Sequence, residues 1–408
     1  MRLLLILLIA FPLGAGARTL DVGRGAYPSI RQAIAAASPG DTVRVGPGTY
    51  TEGTLNIDKP LTLLGTGSPR LDGQYRDELI IITGADVQVS GFVFLHSGSS
   101  SSRDLASVSI ANTHNIRIND NRFEEALFGI HAANSSSLLF QNNYLKGRTR
   151  TEQTSGNGIH LWKCSGAVVE HNEIHGHRDG IYLEFVSHSL IRSNTSSDNI
   201  RYGIHFMFSD RDLYVGNTFS RNGAGVAVMF SNKVVISRNR FLDNWGASAY
   251  GLLLKEISDV LLWDNDFYHN TSALQMEGTN RVVARRNSFR ANGWAARVQA
   301  SCSDNVFEEN NFIGNTFDVA TNGSLVLNRF DRNYWDKYEG YDRNRDGAGD
   351  IPYHPVSLYS MIVEKNPTTL ILLRSFMVNL LDKVEKAIPS LTPENLVDEK
   401  PLMKPLEL

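Results

Sequence analysis

Met207 and Met229 fall in one column if the chain coils with a period of about 22 residues, and His205 lies two residues before the first of them. Residues i and i+2 of a β-strand project from one face, and neighbouring parallel strands lie about 4.8 Å apart. In such a coil these three side chains would therefore converge. Two thioethers and an imidazole form a soft donor set that suits Cu(I) and holds Mg2+ or Ca2+ poorly. The same residues are also compatible with a protein-binding strip or with tolerated surface. His160, Trp162, Tyr182 and Glu184 take the equivalent positions one and two repeats earlier, and extend the patch as candidate partner-binding residues.

Three other groupings could do chemistry. His171, His175 and His177 have a spacing that could hold a metal with imidazoles, but no helix places the rings on one face, so a solvated turn is expected. Asp342, Asn344 and Asp346 alternate ahead of Gly347, with Asp350 at the ninth position, as in a Ca2+ loop. The twelfth position is Tyr353 instead of Glu, and a tight Asx-turn loop closing the end of the coil is the alternative. A sugar-cleaving enzyme needs paired acids, or a base beside a neutralising Arg, on one outward face. Asp179 with Arg178 and His177, and Asp210 with Arg211 and Asp212, come nearest, and neither gains a second acid in the same column one repeat on. No catalytic function is therefore expected. Cys164 and Cys302 fall in a column of small residues six repeats apart, roughly 29 Å, so both are expected to be buried and unbridged.

The element that positions these groups is a repeat. Asn followed two residues later by an apolar side chain recurs at Asn121, Asn143, Asn172, Asn217, Asn239, Asn265, Asn287 and Asn310, with Asn194 keeping the spacing only. With Asn194 included, the steps along this series are all close to one value, apart from a longer one into Asn172 and another into Asn265. Thirteen residues before each Asn from Asn143 to Asn287 sits an aliphatic residue, usually after Gly, from Ile130 to Leu274. Short alternating runs at this period predict an all-β fold: a right-handed, single-stranded parallel β-helix of about 22-residue turns, its Asn residues bonded in a ladder. The two long steps place loop insertions near 147–153 and 245–249. In this register the Met207/Met229 and His205 columns face outward, whereas Met276 faces inward as core packing.

The ends differ from the middle. Residues 1–17 carry one basic residue, an apolar run from Leu3 to Leu13 and Ala15-Gly16-Ala17, which reads as an export signal cleaved after Ala17. The coil is expected over 18–365, with the amphipathic stretch Tyr27–Ala37 capping its first turn. Over 366–408 the period becomes helical from Pro367 to Ile388 and a Pro-punctuated tail follows. Nine of the twelve residues from Leu370 to Leu381 are apolar. That excess makes Leu373, Phe376, Met377, Leu380 and Leu381 candidate partner-binding residues on a docking arm, with a simple C-terminal cap as the alternative. A net charge of −3 and a pI near 6.4 argue against a dedicated nucleic-acid binder.

Gly40–Tyr50, Lys59–Gly65, the repeats, Asn333-Tyr-Trp-Asp336 through Tyr353, and Leu373-Arg-Ser375 with Pro401-Leu-Met-Lys-Pro405 together resemble the NosD family. The resemblance covers essentially the whole mature chain, and no catalytic motif comes with it. It implies a periplasmic accessory protein for assembly of the copper centre of nitrous-oxide reductase. The implied partners are an ABC transporter of the NosF/NosY type, the reductase and a copper chaperone, with membrane contact only through the transporter. Copper is the implied transient ligand, and calcium at the Asp-rich loop is a lesser expectation from the residues. A secreted carbohydrate-active enzyme is the competing reading, because that is the common employment of the fold.

Overall fold

Short β-branched runs separated by single-residue corners cannot close a sheet within one repeat, so each run pairs with its equivalent in the next. The computed structural model describes residues 16–408 except 24–25, 99, 101–102, 149–150, 324–326, 374 and 388–395. Most of the leader, and with it Ile388, Pro389 and Pro393 of the tail, lie outside the described residues. Three parallel sheets of 14, 12 and 13 strands run the length of the coil, each turn giving one strand to each sheet. Corners are made by residues in the left-handed region, such as Asp120, Ser193 and Arg238 immediately before ladder asparagines. The Gly column inside the coil has a steric cause: a Cβ on Gly203 would sit 2.7 Å from the Gly225 carbonyl oxygen.

Two asparagine ladders hold the turns in register. From Asn121 to Asn333, each side-chain amide donates to the Oδ1 of the next at 2.9–3.2 Å. A second ladder, five residues further along each turn, runs Asn199, Asn222, Asn244, Asn270, Asn292 and Asn315, each backbone N–H meeting the next Oδ1 at 2.9–3.2 Å. His177 occupies the preceding position of that ladder, its N–H donating to Asn199 Oδ1 at 3.0 Å. Inside, Phe219, Phe241, Phe267, Phe289, Phe312 and Trp335 stack with centroids 4.1–5.5 Å apart.

The N-terminal turn is closed by α1 (Ile30–Ala36), which buries Ile30, Ala33 and Ile34, as the amphipathic pattern indicates. Glu52 accepts from the Ile30 and Arg31 N–H groups at its free N-terminus. The C-terminal end differs from the expected single helix. Helix α2 (Leu358–Lys365), capped by Ser357, lies inside the stretch expected to be coil. A 3-10 turn (Pro367–Leu372) and α3 (Phe376–Ala387) follow, separated because Ser375 starts a new helix, accepting from Val378 N–H. The last residues return to the coil. Asp398 is fully buried and ends the first ladder, accepting from Asn333 N–H and Nδ2 and from Trp335 Nε1 at 2.9–3.0 Å. Leu402 bridges Tyr334, and Asn311 pairs with the Leu406 backbone. Residues 396–408 are thus part of the end cap and not of a free arm.

Candidate metal-binding face

The face of interest is the outside of the 12-stranded sheet, at the strands Phe128–Ala133, Ile159–Trp162, Asp179–Glu184, Tyr202–Met207 and Ala224–Met229. Register sets Ala133, Trp162, Glu184, Met207 and Met229 in one column, and His131, His160, Tyr182, His205 and Ala227 in the next. Met207 and Met229 are direct Cα partners and both are half-buried. Met207 Sδ lies 3.9 Å from the Tyr182 hydroxyl. Met276 is fully buried, as its inward column requires.

The histidine column is more enclosed than an exposed strip would be. His131, His160, Tyr182 and His205 form a continuous stack with successive centroids 4.8 Å apart. Tyr202 packs on His205 at 4.9 Å, and Arg201 lies over Tyr202. His205 Nδ1 faces Arg201 at 3.3 Å and the Asp179 carboxylate at 3.8 Å, while its Nε2 is buried without a hydrogen-bond partner. Arg201 can only donate and the Asp179 carboxylate lies beyond hydrogen-bond distance, so Nδ1 accepts and the neutral ring carries its proton on Nε2. A metal at Nε2 therefore requires that proton to move to Nδ1 as Arg201 turns away. His160 is only 8 % exposed, so it cannot belong to a solvent-facing docking strip. Its burial pushes the imidazole down to about 3, with His131 and Arg178 adding to the effect, so the ring is neutral at ordinary pH. Trp162, Tyr182 and Glu184 stay half-exposed at the rim, and burial chiefly raises the Tyr182 hydroxyl to about 12.

The other sequence groupings separate. His177 is buried as a ladder residue, whereas His171 is exposed and His175 half-exposed, so the expected solvated turn holds for two of the three. Asp342 accepts from the N–H groups of Arg345, Asp346 and Gly347, Asp346 from Ala348, and Asp350 from Arg343. Asn344 donates to Asp346. The four side chains are thus turned onto their own loop, the Asx-turn arrangement. Asp179 is buried between Arg178 Nε at 3.6 Å and Arg201 Nε at 3.4 Å, and Asp212 is inside the coil, so neither makes an open acid pair. Cys164 and Cys302 are buried and unbridged. Two broad surface clefts among the described residues lie on the 13-stranded sheet, away from this face.

At the C-terminal end, Leu373 and Leu381 pack on the Phe317, Tyr359, Val363 and Val378 cluster and are not free to dock. Phe376, Met377 and Leu380 are exposed, joined by Leu370, Ile371 and Leu372 of the 3-10 turn. Among the described residues no helix is long and apolar enough to cross a membrane.

Two features of the face escaped the sequence reading. Phe185, Phe208 and Phe230, each adjoining Glu184, Met207 or Met229, stack on the surface with centroids 5.1 Å apart. Their recurrence once per repeat was the available signal. The second is the approach of Asp104 to His131 and His160, with ligand atoms all within 4.8 Å of one another. The pair of histidines in one column was visible; the loop that brings Asp104 to it was not.

Fold and face together define a parallel β-helix that presents soft donors and aromatic rings on an open sheet face. Mannuronan C-5 epimerase AlgE6 A-module from Azotobacter vinelandii shares the architecture, with a TM-score of 0.59 at 14% identity over 74% of this chain and 91% of that one. The family model described as "Periplasmic copper-binding protein (NosD)" matches residues 141–340. A "Probable ABC transporter binding protein NosD" from Stutzerimonas stutzeri is 27% identical over 88% of this chain and 86% of its own length. One of the same description from Pseudomonas aeruginosa is 28% identical over 86% of each. Along most of its length the chain is therefore similar to proteins of the NosD family.

Proposed function

We propose that this protein carries Cu(I) in the periplasm on the outer face of the 12-stranded sheet, for assembly of the copper centre of nitrous-oxide reductase. The observation that carries the reading is the register pairing of Met207 with Met229, both half-exposed, beside the unpartnered Nε2 of His205. Two thioethers and one imidazole fit Cu(I). The Phe185–Phe208–Phe230 ladder beside the methionines is the contact for the copper chaperone that loads the site or the reductase that empties it. The apolar face of Leu370, Ile371, Phe376, Met377 and Leu380 docks on the membrane subunit of a NosF/NosY-type ABC transporter. Export with cleavage after Ala17 would leave Arg18, bonded to Asp41, as the first residue of the mature chain.

Competition titration with a Cu(I) chelator tests the site. Met207→Leu with Met229→Leu should lower Cu(I) affinity at least about tenfold while changing stability by less than about 1.5 kcal/mol. Met276→Leu should leave affinity unchanged. A double variant that binds Cu(I) like the parent would reduce the face to a protein-binding surface.

A further inference from the structure

Beyond the copper reading, and independent of it, the other end of the same ring stack has the makings of a second metal site. His160 is more than nine-tenths buried, and neither of its ring nitrogens has a hydrogen-bond partner. Leaving a buried polar group unpaired costs about 1–3 kcal/mol, so two such atoms on one ring call for an absent partner. The groups beside it supply what an ion would need. His131 packs on His160 at 4.8 Å, the half-exposed member of the pair, and Asp104 brings a carboxylate from the preceding loop. Phe128 walls the site, 6.2 Å from the His131 ring and 5.9 Å from that of His160.

We propose that Asp104, His131 and His160 bind a divalent transition-metal ion of borderline softness, of the Zn2+ class, at a site distinct from the thioether pair. Two imidazoles and one carboxylate are ligands that Zn2+ takes readily, and three protein ligands leave a fourth position for water. Ligands about 2.1 Å from a tetrahedral ion lie roughly 3.4 Å apart. The observed spread of up to 4.8 Å closes to that by side-chain rotation, which the exposed Asp104 can supply. The donor set separates the two sites: the carboxylate favours a divalent ion here, whereas thioethers select Cu(I) at Met207 and Met229. Three strand spacings separate His131 from His205, about 14 Å, so the two ions would be held apart on one face. Asp104 and His131 precede residue 141 and lie outside the segment matched by the family model.

Zn2+ titration of the mature full-length protein, by calorimetry and by thermal shift, tests this. The parent should bind one Zn2+ and gain stability in saturating Zn2+. Asp104→Asn, on an exposed loop, should fold as the parent does and lose at least about tenfold in affinity. His131→Asn and His160→Gln should abolish the thermal shift. The Met207→Leu, Met229→Leu protein should keep the parent's Zn2+ affinity, which separates this site from the copper site. Absence of Zn2+ binding by the parent overturns the proposal, and so does parental affinity in both Asp104→Asn and His131→Asn.

Discussion

One solenoid carries two columns of phenylalanine, one inside and one outside. Phe219, Phe241, Phe267, Phe289 and Phe312 stack in the core, essentially shielded from water. Phe185, Phe208 and Phe230 stack with nearly the same spacing on the surface, 41–46 % exposed. The inner rings remove their whole area from water and rest on extended backbone. The outer rings keep much of theirs in water, and their residues sit at φ 50–55°, a conformation that disfavours bulky side chains. A stack maintained against its own backbone preference and without full burial is not explained by stability. It flanks the methionine pair, and that position explains it better.

The largest effect should come from the inner column. Phe267→Ala removes a buried ring held between Phe241 and Phe289 at 4.5 and 4.8 Å, and should destabilise the coil by about 3–5 kcal/mol in urea unfolding. Nearly as large is Asp398→Ala, which strips the acceptor from Asn333 N–H, Asn333 Nδ2 and Trp335 Nε1 together. A loss of about 2–4 kcal/mol is expected, with hydrogen exchange rising first in the last turns, because a solenoid frays from its ends. The same contacts change what truncation means. Cutting before Asn366 removes Asp398 as well as α3, so the coil should lose stability along with transporter binding.

Why the interior was legible and the outer face only partly so follows from the period. A column facing the core accepts a narrow set of side chains, so Ile130, Ile159, Ile181 and Ile204 announce themselves once per turn. The Asn ladder was equally visible, because each amide must meet the next. Outward columns obey no such restriction, and register could place Met207 over Met229 without revealing that Arg201 and Tyr202 enclose His205. Contacts made by loops were beyond reach altogether. Asp104 comes to His160, and Asp398 to Asn333, through segments that lack the repeat.

A carboxylate inside the coil sharpens the contrast between interior and surface. Asp212 is fully buried, accepting from Ser189 N–H at 2.7 Å through Oδ1 while Oδ2 has no partner. Burial, reinforced by the charge of Asp210, raises its carboxyl from 3.8 to about 7. The folded state therefore holds a proton that the unfolded chain releases above pH 4. Stability contributed by this group is present in acid and declines as pH rises from about 4 to about 7, by on the order of 2–4 kcal/mol. Asp212→Asn should remove that slope, seen as a urea midpoint that changes less between pH 5 and pH 8 than the parent's. An unchanged slope would show that the carboxylate reaches water.

The smallest effect on folding is expected where the outer column is altered. In Phe208→Asn the backbone remains at φ 50°, which Asn tolerates with less strain than Phe, a gain of up to about 1 kcal/mol. Against it stands the loss of two ring contacts, with Phe185 and Phe230 at 5.1 Å, each worth about 0.5–1.5 kcal/mol and weakened by exposure. The two terms oppose one another, so stability should move by less than about 1 kcal/mol in either direction. Cu(I) affinity should stay at the parental value, because the thioethers of Met207 and Met229 are untouched. Transfer of copper to or from a partner protein should slow, since the ring that adjoins Met207 is gone. A destabilisation above about 3 kcal/mol would place Phe208 with the core column, and unchanged transfer would leave the strained outer stack without the role that its position assigns to it.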